Sequence, residues 1–337
     1  MNAKERFFAY ISGKPVDRVP NLNIIMQFGA QYTGEPYSRY LNDYKCLVDA
    51  EIRVAREFGI DCVCAISDPY REAEGYGLEV YYPHNDLSIC KGPLLKAHSD
   101  IKKLRVPDPL TSKRMNDRLS AVSQFHYLAG DEFPVIGWVE GPIAEAADLR
   151  GVSELMYDLV DEPDFVDELM DVCLDGAIIF AREQIARGAD VIGVGDAAAS
   201  LIGPALFEEF VLPREIKLFE AIHDMGALVK LHICGNITGI APLIARTGAD
   251  IVDVDHMVDL KMVTETLVVG QTANGNYDPV SILLLGDEAA VDAAVRKCYE
   301  QMGGKRAIIS AGCEVPRFTS HANMYRVARA LQELGSP

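Results

Sequence analysis

Residues 186–195 read ARGADVIGVG. A helical stretch ends at a glycine, an aspartate follows, and then comes a run of small and apolar residues with no polar alternation. Such a run suits a parallel strand covered on both faces. The same phrase recurs as EFGIDCV at 57–63 and ARTGADIV at 245–252. Each glycine sits where a helix needs a left-handed residue to stop, and each aspartate opens the next strand. β-branched runs predict eight strands, at 20–26, 60–66, 134–139, 190–195, 227–233, 250–254, 267–272 and 306–311. Amphipathic stretches at 44–58, 163–187, 204–225 and 288–302 lie between them. Eight β-then-α units in order predict an α/β fold of the (β/α)8 TIM-barrel type. A doubly wound open sheet would carry a glycine-rich phosphate loop, and GVGDAAAS at 193–200 lacks the GxGxxG spacing.

The 337 residues, 49% of them hydrophobic, suffice for one barrel, so residues 1–337 are expected to form a single domain. The alternating run GLEVYYPHNDLSICKGPLL, within 70–115, predicts a β-hairpin inserted after strand two, either a decorative edge or a lid over the barrel mouth. A net charge of −18 repels phosphate backbones and anionic lipids, which argues against nucleic-acid and membrane-surface roles. There is no apolar run of membrane-spanning length, and MNAKERFFAYISGK lacks the apolar core of a signal peptide. Eight scattered cysteines fit a reducing compartment, and a cytoplasmic protein is expected.

Barrel enzymes carry their chemistry where strands run out into the following loops. Those positions hold Asp68, Glu140, Asp196, the pair His232 and Cys234, Asp253 and Asp255 with His256, Asn274, Asn276 and Asp278, and Cys313 with Glu314. A barrel with only a structural role has no reason to bring so many ligand-capable groups to one face. Residues i and i+2 of a strand point the same way, so His232 and Cys234 can both face the barrel axis. Cys313 follows strand eight and opens onto the same mouth. One imidazole and two thiolates suit Zn2+ with a fourth position free for substrate; the alternative is two buried thiols and a core histidine. Glu140, Asp196 and Asp255 are candidates for the fourth ligand, with Glu140 preferred, although a carboxylate there also suits a helix N-terminus. Cys62 and Cys64 lie within an apolar strand and read as packing. His256 is placed to bind substrate or shuttle protons.

These residues resemble a known family. DRVP at 17–20, ISDP at 66–69, Gly141-Pro142 and GNYDP at 275–279 are similar, in order and over nearly the whole chain, to the uroporphyrinogen decarboxylase superfamily, whose fold is a (β/α)8 barrel. LHICGN at 231–236 and AGCEVP at 311–316 resemble the zinc motif of its cobalamin-dependent methyltransferase branch, while RVPNLNIIMQFGA at 18–30 lacks the later arginines of the decarboxylase motif. The resemblance implies zinc on His232, Cys234 and Cys313, with Glu140 filling the resting site. It also implies methyl transfer between a corrinoid (methylcobalamin) and a small thiol, or from a methoxy or methylamine compound to the corrinoid. Asp196, Asp255, His256 and Asn276 are then candidates for substrate contact. The DxHxxG corrinoid-ligand motif is absent, so the corrinoid is expected on a separate corrinoid protein as partner. Asp68 matches an aspartate of the decarboxylases, which leaves a metal-free carboxy-lyase as the alternative. A non-catalytic corrinoid- or tetrapyrrole-binding protein is the second alternative.

Overall fold

The computed structural model describes residues 1–335. Its strands, in chain order, are β1 (Val63–Cys64), β2 (Val80–Tyr81), β3 (Ile89–Cys90), β4 (Val135–Glu140), β5 (Val191–Gly195), β6 (Leu228–Ile233), β7 (Ile251–Val254), β8 (Thr272–Asn274) and β9 (Ala307–Ile308). Seven of them pair in parallel in the order β1-β4-β5-β6-β7-β8-β9, with helices between, and the sheet curls as the wall of a TIM barrel. Every residue of β4, β5 and β7 is buried, as expected of parallel strands covered on both faces. β2 and β3 form a separate antiparallel pair within residues 70–115.

The repeated Gly-Asp phrase has a physical role at the bottom of the barrel. Asp190 Oδ2 accepts a hydrogen bond from the Val135 amide (2.9 Å), and Asp250 Oδ2 accepts one from the Val229 amide (2.8 Å). Each aspartate therefore satisfies an amide near the start of the preceding strand, which has no ladder partner there. Asp61 does the same for the Asn21 amide at 2.8 Å. By that rule the segment around Asn21 holds the eighth position.

That segment departs from expectation. Residues 21–25 do not join the ladder, and Met26 already begins the helix Met26–Thr33. Pro20 has no N–H to give a neighbouring strand. The contacts that remain are isolated: the Asp61 amide to Asn21 O at 2.7 Å, the Val315 amide to Ile24 O at 2.7 Å, and the Ala311 amide to Asn23 Oδ1 at 2.8 Å. The strand expected at 267–272 is also displaced. Leu267 ends the helix Leu260–Thr266, Gly270 turns with φ +103°, and the strand starts at Thr272.

Charge closes what the ladder leaves open. Asp61, 1% exposed, accepts from Arg6 Nη1 (2.6 Å) and from Arg18 Nη1 (2.6 Å) and Nη2 (3.0 Å). Asp17 in turn takes Arg6 Nε at 2.6 Å, so DRVP is a structural staple. Among the described residues no helix is long and apolar enough to cross a membrane. Replacing Asp61 by Asn leaves two nearly buried guanidiniums without their shared counter-charge. Equilibrium unfolding in urea should show a loss of about 3 kcal/mol; an unchanged midpoint would mean that barrel closure does not depend on this carboxylate.

Candidate metal centre

β6 reads LVKLHI, with Lys230 and His232 on the inward face and Cys234 just past the strand. His232 Nε2 lies 3.1 Å from Cys234 Sγ and 3.9 Å from Cys313 Sγ, and the two sulfurs are 3.8 Å apart. These are the three residues that chain spacing singled out, and the fold brings their ligand atoms within 4.8 Å of one another. Cys313 reaches the group because Gly312 passes so close to the loop after β7 that a Cβ there would sit 2.4 Å from the His256 nitrogen. No larger residue fits that crossing.

The donor set matches one metal well. Bonds of about 2.3 Å to sulfur and about 2.05 Å to nitrogen, at tetrahedral angles, put two sulfurs about 3.8 Å apart and sulfur about 3.6 Å from nitrogen. The observed sulfur pair fits, and the two nitrogen–sulfur distances straddle the expected value. The hydrogen bond between the two thiols raises Cys234 and lowers Cys313 to about 4. Burial pulls the His232 imidazole down, but the Asp253 carboxylate and the Cys313 sulfur outweigh it and lift the group to about 9.

Asp253 stands behind the imidazole. Its Oδ2 is 3.2 Å from His232 Nδ1, a charge contact off the line of an ideal hydrogen bond, and it also pairs with Lys230 Nζ. Asn274 Nδ2 donates to Asp253 Oδ1 at 2.6 Å, and Ser310 Oγ donates to Asn274 Oδ1 at 2.7 Å. Burial raises Asp253, yet Lys230 and His232 overcome it and hold the carboxyl near about 2. A carboxylate against Nδ1 favours the tautomer whose Nε2 lone pair faces the sulfurs.

The three side chains open onto a cavity of about 130 Å³, whose wall includes Asp68, Trp138, Glu140 and Glu314. Gly193 admits the indole, since a Cβ there would fall 2.1 Å from Trp138 Cε3. A second cavity, of about 440 Å³, meets the first at Cys234 and Glu140 and runs out past Asp148 and Leu201. Asp68 is paired with Arg114 and accepts from Ser67 Oγ (2.9 Å) and Ser88 Oγ (3.1 Å). Burial raises its carboxyl, but Arg114 prevails and sets it at about 2. Glu140 accepts from Arg71 Nη2 at 2.7 Å, and burial pushes it well above the usual carboxylate range despite that arginine. Burial likewise lifts Glu314 to about 7.

The structure does not bring the remaining candidates to this cavity. Asp196 turns away: its Oδ1 caps the helix Pro142–Arg150 by accepting the Ala144 amide at 2.8 Å, and its other oxygen, beside the Glu215 carboxyl, has no hydrogen-bond partner. Asp255 lies beneath the centre, taking the Gly235 amide on Oδ2 at 2.7 Å and thereby bracing the turn that carries Cys234. His256 meets Asp255 at 2.6 Å and, with Asn276, lines a separate groove against the helix Glu288–Met302. Asn276 Nδ2 is spent on the carbonyls of Asp255 (3.0 Å) and Val258 (2.6 Å). A strand-end position fixes the face of the barrel but not the direction of the side chain once the strand has ended. Conversely, Arg71, Arg114 and Lys230 shape the site and were not among the expected residues, while Asp253, expected on this face with Asp255 and His256, had no role assigned to it. Lys230, in register with His232 within an apolar strand, was the available signal; Arg114, on a helix, gave none.

The uroporphyrinogen decarboxylase (URO-D) family profile matches residues 2–334, and the chain belongs to that family. A methylcobamide:CoM methyltransferase MtbA of Methanosarcina mazei is 30% identical over 332 residues, covering 96% of each chain. A uroporphyrinogen decarboxylase of Carboxydothermus hydrogenoformans is 22% identical, covering 93% of this chain and 92% of its own. Among solved structures, a methyltransferase from Methanosarcina mazei superposes with a TM-score of 0.90 at 23% identity, covering 99% of both chains.

The Asp196–Glu215 pair makes a measurable statement about pH. Both side chains are fully buried, with unpartnered oxygens. Burial raises Asp196 to about 7 and holds Glu215 well above the usual carboxylate range. A carboxyl raised in the folded state stabilises fully below its unfolded value, and that contribution is lost as pH climbs through the folded value. Melting temperature should therefore fall as pH rises from about 4 to about 7, and Glu215→Gln should flatten that fall by keeping a neutral partner for Asp196. An equally steep fall in the variant would refute the assignment.

Proposed function

We propose that this member of the URO-D family is a zinc-dependent methyltransferase that moves a methyl group between a corrinoid and a small thiol, or from a methylated small molecule to the corrinoid. The observation that carries the reading is the triangle of His232 Nε2, Cys234 Sγ and Cys313 Sγ, with spacing suited to tetrahedral zinc. The relative named a methylcobamide:CoM methyltransferase, similar over 96% of its length, supports the reaction class. Zinc, when bound, would lower the pKa of a substrate thiol, or polarise a methylated heteroatom, at its open position.

The protein's own groups divide the remaining work. Asp253 orients the imidazole, and Asp255 fixes the turn bearing Cys234. The Cys234 and Cys313 thiolates would cancel the charge of a bound dication, which would leave a substrate thiolate there nucleophilic. Glu140 is the proposed occupant of the fourth position at rest, and Arg71 is placed to hold its carboxylate when it withdraws. Asp68 remains a fixed anion of the wall. The 70–115 segment reaches this wall through Ser88, on Asp68, and Tyr82, whose hydroxyl accepts from Arg114 Nη1 at 2.6 Å. That contact favours a lid or docking role for the insertion, facing a separate corrinoid protein. All eight cysteines are free, consistent with a cytoplasmic enzyme built as one barrel domain.

The rival is a metal-free carboxy-lyase acting through Asp68, whose oxygens are already engaged by Arg114, Ser67 and Ser88. Protein purified without chelators should hold about one zinc per chain, lost in Cys313→Ala. Asp253→Ala should weaken zinc about 10- to 100-fold in a chelator competition. The zinc-loaded protein should demethylate methylcobalamin with one of a panel of thiols, followed by the cobalt spectrum. A zinc-free protein that decarboxylates a porphyrinogen would reverse the conclusion in favour of the rival.

A further inference from the structure

Resting on that reading, we infer that the cavity adjoining the metal centre seats the body of the small molecule, an apolar group the size of an aromatic ring that bears a hydrogen-bond donor. The cavity into which the three ligands open measures about 130 Å³, below the roughly 300–1,000 Å³ of small-molecule sites. It has room for the reacting heteroatom and its methyl group, and little more. The adjoining cavity, of about 440 Å³, falls within that range. Pro69, Glu140, Ala197 and Cys234 line both, so a molecule seated in the second reaches the three ligands through the neck between them.

The second wall is apolar where a ligand body would lie. Ala144 and Ala147 share one face of the helix Pro142–Arg150, and Ala197 and Ala198 open the short turn that follows β5. Side chains of one carbon leave the slot open. Val152 and Leu201 form its outer rim, and both are solvent-exposed, as apolar groups are where a ligand is to cover them. Asp148 reaches the same wall; its carboxyl is buried, and Oδ2 has no hydrogen-bond partner among the described residues. Arg71 does not supply one, because it spends Nη1 on the Asp68 carbonyl and Nη2 on Glu140. A carboxyl group keeps an acceptor oxygen whether or not it is ionised, so a hydroxyl or N–H on the ligand satisfies it in either state. Burial of a ring-sized apolar group in the slot adds affinity that a two-carbon thiol cannot gain. The same body suits a thiol that accepts the methyl group or a methyl ether that donates it.

Trp138 is the only tryptophan of the chain and lines the first cavity, so its fluorescence reports occupancy. The zinc-loaded protein is titrated with ethanethiol, with 2-phenylethanethiol and with the three ring-hydroxylated forms of the latter. The metal-free protein is titrated with 2-phenylethanethiol and with 2-phenylethyl methyl ether. With zinc, 2-phenylethanethiol should bind about 20-fold tighter than ethanethiol. One hydroxylated form should bind about fivefold tighter again, a gain that Asp148→Ala abolishes. Ala197→Phe fills the neck from an exposed position and should cut the 20-fold ratio to about twofold. Leu201→Asp, at the exposed rim, should cut the same ratio about threefold. Zinc-dependent tightening of the thiol identifies a methyl acceptor; methylation of a Co(I) corrinoid by the ether identifies a methyl donor. Equal affinities for the two parent thiols, or a ring preference that survives both Ala197→Phe and Leu201→Asp, overturn the inference. Three hydroxylated forms that all bind no tighter than the parent overturn the Asp148 contact. Failure to bind zinc would defeat the methyltransferase reading instead. The ether, whose binding to the metal-free protein should weaken about tenfold in Ala197→Phe, would still test the cavity.

Discussion

A single buried carboxylate, Asp253, sets the geometry on which this molecule's chemistry depends. The register places His232 opposite Asp253, and Asp253 opposite Asn274. Three adjacent strands thereby contribute a polar side chain each to one layer of the barrel, and Ser310 extends the layer beyond β9. Lys230 is 1% exposed, and its charge is tolerable there only because Asp253 neutralises it. The same anion faces His232 Nδ1. The imidazole is thus held in the orientation that turns Nε2 toward two thiols far apart in sequence. A shift of one residue in the β6–β7 pairing would turn this layer toward the helices and disperse the centre.

The barrel repeats that solution at other levels. At the base, Asp61 is shared by Arg6 and Arg18; at the mouth, Arg114 meets Asp68, and Arg71 meets Glu72 and Glu140. Removing one partner of a buried pair costs more than the pair contributes, because the survivor is left desolvated. Such pairs therefore hold backbone segments in place even where they add little net stability. The segment 21–25, which lacks a ladder, is held in this way, and so is the wall of the cavity.

The mouth differs from the base in that its charges do not balance. Around Arg71 lie Glu72 and Glu140, and the buried carboxyls of Glu145 and Asp148 add to the excess; Glu145 has no hydrogen-bond partner for either oxygen. Burial favours the neutral form of such groups. The surplus is local to the face where β-strands end and loops begin, the face on which barrel folds place their chemistry.

Much of this was legible in the chain. The Gly-Asp junctions, the apolar runs and the i, i+2 pairing of His232 with Cys234 depend on local rules of backbone geometry, and those rules operate without knowledge of distant neighbours. They yielded the βα repeat, the barrel and the three clustered side chains. Local rules did not decide where side chains point after a strand ends. Asp196 turned to a helix N-terminus and to Glu215, and Asn276 to two loop carbonyls, because unsatisfied backbone groups next to them offered stronger partners than an open cavity. Nor did local rules show that the first strand would lack a ladder, or that Arg71, Arg114 and Lys230 would complete the site. Those outcomes depend on charges brought together over tens to hundreds of residues, and only the closed tertiary structure determines which charges meet.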